Sequence, residues 1–153
     1  MKTKNIKKSK IRTLSQSKKR AWEAFSKYVR LRDAIKTTGT LTTLACITCG
    51  KRYPAFGVGC AQAGHFIPGR GNSVLIDEDF VHGQCYNCNV NLRGNWIKYE
   101  RAMIKMWGKE KVEEAKNRKD EVKIMKVYEW QALEELYKLK YATLINTYNS
   151  TRV

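Results

Sequence analysis

The 153-residue sequence is poor in acid, poor in proline and free of long apolar runs. Against 30 Lys and Arg stand only 14 Asp and Glu, so the formal charge is +16. A chain so short of carboxylates repels itself and attracts polyanions, nucleic acid first and an anionic membrane surface second. Nothing approaches the roughly 18 consecutive apolar residues that would span a bilayer. The basic N-terminus is not followed by the apolar segment, roughly 7–15 residues long, of a secretory signal. These absences point to a reducing cytoplasm, where paired cysteines hold metal more often than they form disulfides. No internal repeat and no Pro-rich or Ser-rich linker divides the chain, which is long enough for one modest core with extensions.

Residues 1–16 read as a flexible basic arm, without a single acidic residue. Residues 17–40 read as an N-terminal helix. Trp22, Phe25, Val29 and Arg32 recur at helical spacing over Lys18–Ile35, Tyr28 and Ile35 widen the face, and Gly39 breaks it. Residues 41–108 hold all five cysteines, both histidines and both prolines. So loop-rich a core buries little apolar surface and calls for a metal staple. Within it, Cys60–Ile67 and Phe80–Gln84 read as short strands joined by the polar link Pro68–Asp79. From Asn89 the pattern is helical, with Leu92, Trp96, Tyr99 and Met103 on one side and a stop at Gly108. Residues 109–153 read as a C-terminal helical extension. It begins with a short helix over Lys111–Lys119. A longer helix follows Asp120, with Met125, Tyr128, Ala132, Leu136 and Leu139 near one face. The fold class that follows is α+β.

The strongest signal is a pair of CxxC knuckles, Cys46-Ile-Thr-Cys49-Gly50 and Cys85-Tyr-Asn-Cys88-Asn89. Two thiolates at this spacing reach one ion from a tight turn, and two such turns complete a tetrahedral sulfur site suited to Zn²⁺. Four thiolates close the coordination sphere, so this zinc is expected to be structural. Cys60 is left over and reads as a small packing residue. Between the knuckles, Gly64-His65-Phe66 falls on the first strand, and Asn89 falls at the head of a helix. Strand, loop, strand and helix framed by two cysteine pairs is the ββα-metal (HNH-like) arrangement. It sets a histidine opposite an oxygen ligand, which suits phosphodiester cleavage: the histidine takes a proton from water while a cation steadies the phosphate. An imidazole titrates near neutrality, and an oxygen ligand suits a hard cation such as Mg²⁺.

The chain resembles the phage NinG (Rap) family of recombination nucleases. The matching stretches are Phe25-Ser-Lys-Tyr-Val-Arg-Leu-Arg-Asp33, Cys46-Ile-Thr-Cys49-Gly-Lys51, Gln62-Ala-Gly-His-Phe66, Val81-His-Gly-Gln-Cys85-Tyr-Asn-Cys88-Asn89 and Gly94-Asn95, within residues 20–120. More distantly, residues 46–89 resemble endonuclease VII of T-even phages. The resemblance implies metal-dependent cutting of branched DNA, Holliday junctions and D-loops among them, in the cytoplasm of a phage's host. It implies His65 as general base and Asn89 as ligand of a catalytic Mg²⁺ or Mn²⁺. ββα-metal nucleases commonly carry Asp or His just before that histidine; here the position is Gly64, which leaves a second ligand unassigned. His82 is the first candidate, as it matches a histidine of the family pattern, and Gln62 and Asn95 follow. Phe80 stands where the family tends to have Asn, in the loop before the second strand.

Lys18, Lys19, Arg20, Arg30, Arg32, Arg70 and Arg93 are expected DNA contacts, the last two because they flank the site in sequence. A junction's local two-fold symmetry makes a homodimer natural, with the long C-terminal helix as its surface. Three other readings compete: a zinc-ribbon DNA binder without catalysis, an HNH nuclease of linear duplex, and an RNA-binding zinc protein.

Overall fold

The structure, a computed structural model, describes residues 11–152. Helix α1 runs over Leu14–Thr38, beginning earlier than the expected 17–40 and ending just before Gly39, which caps it. Its start is set by a reciprocal cap: Gln16 N donates to Thr13 Oγ1 at 3.2 Å, and Thr13 N donates to Gln16 Oε1 at 3.0 Å. Of the arm expected at residues 1–16, residues 1–10 lie outside the described residues, and 14–16 belong to α1. Two antiparallel hairpins follow. Strands β1 (Thr43–Ala45) and β2 (Arg52–Pro54) carry the first knuckle between them. Strands β3 (Gln62–His65) and β4 (Val81–Gln84) pair Gln62 with Gln84 and Gly64 with His82. A wide π-helical turn, Asn87–Asn91, leads to α2 (Trp96–Trp107), α3 (Lys109–Asn117) and α4 (Val127–Ser150).

The β3–β4 hairpin lies between two helical layers, because its residues alternate between faces. Ala63 and Val81 point to one side and pack with Phe25, Val29 and Tyr137 of α1 and α4. On the other side, Tyr99 of α2 donates its hydroxyl to Gly64 O at 2.8 Å. Around it Phe66, Phe80, Met103 and Val112 form a second apolar cluster. Phe80, the departure from the family pattern, fills that cluster, and its carbonyl accepts from Phe66 N at 2.8 Å, extending the hairpin.

The helical face expected in the last segment is corrected. Tyr128, Leu136 and Leu139 are exposed, whereas Trp130, Glu134 and Tyr137 are buried. Apolar residues lie on several sides of α4, and ion pairing selects the inward one. Glu134 accepts from Arg12 at 2.6 Å, Arg20 at 2.9 Å and Lys138 at 2.6 Å. Leu92 and Trp96 are likewise exposed, because the chain is in or beside the π-helical turn there and α2 begins only at Trp96.

Arg32 and Asp33 of α1 fasten the helix to β4. Arg32 Nε donates to Asp33 Oδ1 at 2.7 Å, Nη1 to Glu78 O at 2.7 Å, and Nη2 to Val81 O at 2.8 Å. Asp33 Oδ2 accepts from Gly83 N at 2.6 Å. Burial raises the Asp33 carboxyl, but bonds from His82 and Arg32 outweigh it and hold the group at about 2. The pair therefore stabilises fully above the unfolded aspartate value of about 3.9 and loses that contribution as pH falls toward 2. Asp33→Ala strands a buried guanidinium and an amide, so the unfolding free energy is expected to drop by about 3–5 kcal/mol. A chemical-denaturation midpoint unchanged from the parent would remove this network from the account of the fold.

Candidate functional site

The four knuckle cysteines converge: their sulfurs all lie within 4.8 Å of one another, with Cys49 and Cys85 at 4.0 Å. A tetrahedral zinc–thiolate site has edges of about 3.8 Å, so the cluster could hold a metal ion such as zinc with little adjustment. Local backbone builds it. Gly50, at φ 72°, lets its amide reach Cys46 O at 2.8 Å and close the first turn. Amide donors face the sulfurs: Cys85 N to Cys46 Sγ at 3.3 Å and Cys88 N to Cys85 Sγ at 3.4 Å. Asn95, a minor candidate for the catalytic cation, instead donates Nδ2 to Cys88 Sγ at 3.4 Å. Burial raises Cys46, yet the Thr48 hydroxyl and nearby amides pull it down to about 6. Burial and the neighbouring sulfurs push Cys49 up to about 12 and raise Cys85 as well. Sulfurs this close cannot all ionise without a cation among them, which is the behaviour of a metal site.

A cavity of about 560 Å³ opens beside the knuckle. Gln62 and His65 of β3, Asn89 of the π-helical turn, and Arg30, Arg70 and Arg93 all line it. The second knuckle aims Asn89: its amide bonds to Cys85 O at 2.9 Å, and Gly94 N reaches back to Asn89 O at 3.0 Å, the wider closure of a π turn. Asn89 Nδ2 donates to Gln62 Oε1 at 2.7 Å. His65 stacks on Trp22 at 4.8 Å and 21°. Its Nε2 lies 2.9 Å from Leu75 O. A carbonyl only accepts, so Nε2 carries the proton and Nδ1 is left as the basic nitrogen. Burial, together with Arg70, lowers the His65 pKa, against weaker opposing effects of Leu75 O and Asp77. Arg70 and Arg93 hold positive φ, 52° and 49°, a backbone that costs free energy for a side-chain-bearing residue and is concentrated at functional sites.

Three more expected site residues are engaged elsewhere. His82 does not line this cavity: Nε2 lies 3.0 Å from Asp79 O, and Nδ1 lies 3.1 Å from Arg32 Nη2 and 3.5 Å from Asp33. With both nitrogens engaged in a buried network, it has no lone pair to offer a cation. Arg32 is 7% exposed and spends its donors on that network, so it is not a DNA contact. Arg20 is tied to Glu134 at 2.9 Å. Lys18, which donates to Asn72 Oδ1 at 2.8 Å, and Lys19 share a shallow groove with Trp22 and Arg70 next to the cavity. Sequence reasoning missed Trp22 as a cavity wall and Leu75 O as the partner of His65. Trp22 carried a signal, its position four residues after Lys18 on α1, but a long apolar stripe hides one wall residue among core residues.

The fold and site define a basic α+β protein with a four-cysteine cluster able to hold a metal ion beside a cavity rimmed by arginines. It matches the family described as Bacteriophage Lambda NinG protein over residues 1–146 and belongs to that family. Protein ninG of Escherichia phage 933W and Protein ninG of Enterobacteria phage VT2-Sa are each 28% identical to it over 143 residues. That covers 93% of this chain and 65% of each relative, so the chain spans about two thirds of the length of the curated relatives it matches. No solved structure matches. Among the described residues no helix is long and apolar enough to cross a membrane.

Proposed function

We propose that the protein is a metal-dependent, structure-specific endonuclease of the ββα-metal type that cuts branched DNA, Holliday junctions and D-loops included, in phage recombination. The observation that carries this reading is the shared cavity of His65 and Asn89, with the imidazole already fixed in the tautomer a general base needs. His65 Nδ1 takes a proton from the water that attacks phosphorus, and its lowered pKa keeps it neutral and receptive at physiological pH. The phosphorus–oxygen bond to the leaving 3′-oxygen breaks and that oxygen takes a proton from solvent water, giving 5′-phosphate and 3′-hydroxyl ends. Asn89 would hold one divalent cation through Oδ1. Bound there, Mg²⁺ or Mn²⁺ supplies charge stabilisation to the scissile phosphate and the leaving oxygen. Arg70 and Arg93 offer forked donors to neighbouring phosphates, whereas Arg30 has Nε and Nη1 bound to Ser26 O and Ala55 O and keeps only Nη2. Selection of a junction then rests on shape and deformability rather than base edges, and the exposed Leu136 and Leu139 of α4 supply a surface for a homodimer matched to its two-fold symmetry.

A second reading, a metal-bearing DNA binder that does not cut, draws on one fact: among the described residues no carboxylate lines the cavity. Cleavage of end-labelled substrates separates the readings. With Mg²⁺, four-way junctions and D-loops are expected to be nicked well ahead of linear duplex of the same sequence, and EDTA to stop it. Equal cutting of linear duplex would replace structure selectivity with general HNH activity, and binding without any nicking would favour the non-catalytic reading.

A further inference from the structure

Gln84 of β4 is fully buried, and its side-chain oxygen has no hydrogen-bond partner. Its nitrogen is well placed: Nε2 donates to Gly94 O at 2.7 Å and lies 3.4 Å from Thr48 Oγ1. Gly94 O can only accept, so the nitrogen must face it, and Oε1 is turned the other way. A buried acceptor without a donor is rare because it has given up water for nothing. Oε1 points to a definite place, 2.3 Å from where a Cβ on Gly64 would stand. Asn89 Oδ1 lies 3.1 Å from the same point. The Asn89 amide is oriented in turn, since Nδ2 is bound to Gln62 Oε1. The missing side chain at Gly64 thus lets two carboxamide oxygens approach one point, Gln84 Oε1 from β4 and Asn89 Oδ1 from the π-helical turn. Two lone-pair-bearing oxygens within 2.3 and 3.1 Å of one point favour a positive charge beside them.

We propose that Gln84 Oε1 is, with Asn89 Oδ1, a protein ligand of the divalent cation, supplied across the hairpin in place of a ligand at Gly64. This rests on the nuclease reading above. Gln84 is a good holder because it adjoins Cys85, so the metal knuckle fixes its backbone. Both ligands are neutral, whereas hard cations favour charged oxygens. The remaining negative charge comes from the DNA phosphate, so cation and DNA binding reinforce each other by the same factor.

Mn²⁺ is the probe, with its free concentration read by electron paramagnetic resonance. The full chain, zinc-loaded and carrying His65→Ala to prevent cutting, is titrated with and without a four-way junction. DNA is expected to tighten Mn²⁺ binding about 5–150-fold. In the presence of DNA, Gln84→Met is expected to weaken it at least about tenfold. Gly64→Asp combined with Gln84→Ala, which returns an oxygen to that point from the other strand, is expected to restore it. If Gln84→Met binds Mn²⁺ like the parent while Asn89→Ala does not, that point holds only a water and the proposal is overturned, with the nuclease reading intact. If the parent binds no Mn²⁺ even with DNA, the nuclease reading falls with it. Should Gln84→Met not fold, the double variant decides: binding at or above the parent's supports the proposal, and its loss overturns it.

Discussion

Replacing His65 with alanine is expected to lower the rate of junction cutting by about 10²–10⁴-fold while junction binding stays within a few fold of the parent. The size is that of a positioned general base. The separation of rate from binding follows from where the charges are. In the proposed complex, phosphate affinity would come from Arg70, Arg93 and the lysines of α1, none of which is hydrogen-bonded to the imidazole. Burial beside Arg70 favours the neutral form of His65, so its removal would take no positive charge from the proposed DNA-binding surface. The same lowered pKa predicts a pH profile. The base is competent above its folded pKa, so the acid limb of cutting lies below the ordinary histidine value of about 6.5. Gel-shift titration and single-turnover cleavage measure the two quantities separately. A variant that cuts at the parental rate would remove His65 from the chemistry, and one that fails to bind would show the residue to be structural.

Exhaustive zinc removal, or Cys49→Ser, is expected to unfold the region from β1 to the start of α2. Structural zinc sites contribute apparent binding free energies of about 10–16 kcal/mol, comparable to the whole stability of a domain, about 5–15 kcal/mol. Nothing in this region replaces that contribution. Both hairpins are short, the strands having only three or four residues each, and the apolar residues between the knuckles pack chiefly against neighbouring helices. The loss reaches the cavity directly, since Asn89 follows Cys88 and Gln84 precedes Cys85. Helices α1 and α4 retain their mutual packing of Phe25, Tyr28 and Tyr137, so circular dichroism should keep much of its helical signal. Amide exchange in β3 and β4 should become fast. Slow exchange there after complete metal removal would contradict a structural role for the cluster.

The parts of this site that the sequence announces are those whose geometry is local. A CxxC turn sets two sulfurs by its own spacing, and two such turns need only meet. The β3–β4 hairpin was legible from its apolar runs and its Gly-rich link, but β1 and β2 were not, because three residues ending in Pro54 give no alternation to read. The inward face of α4 was illegible for a related reason: pattern reading turns a glutamate outward, whereas three cations draw Glu134 in. His82 shows the cost of reading residue type without register. A histidine on the second strand resembles a ligand until the partners Arg32, Asp33 and Asp79 are known, and these come from 3 to 50 positions away. Gln84 gave no signal at all. Its meaning depends on the pairing of Gln62 with Gln84 and on the space left at Gly64, which only coordinates provide.

Single-turnover cleavage of a labelled four-way junction by the full chain bears most directly on whether one imidazole and one carboxamide do this chemistry together. Parent, His65→Ala, Asn89→Ala and the double variant are compared in Mg²⁺. Groups serving one transition state are not additive, so the account predicts that each single variant loses nearly as much rate as the double. Losses that multiply independently, or an Asn89→Ala rate equal to the parent's, would contradict it.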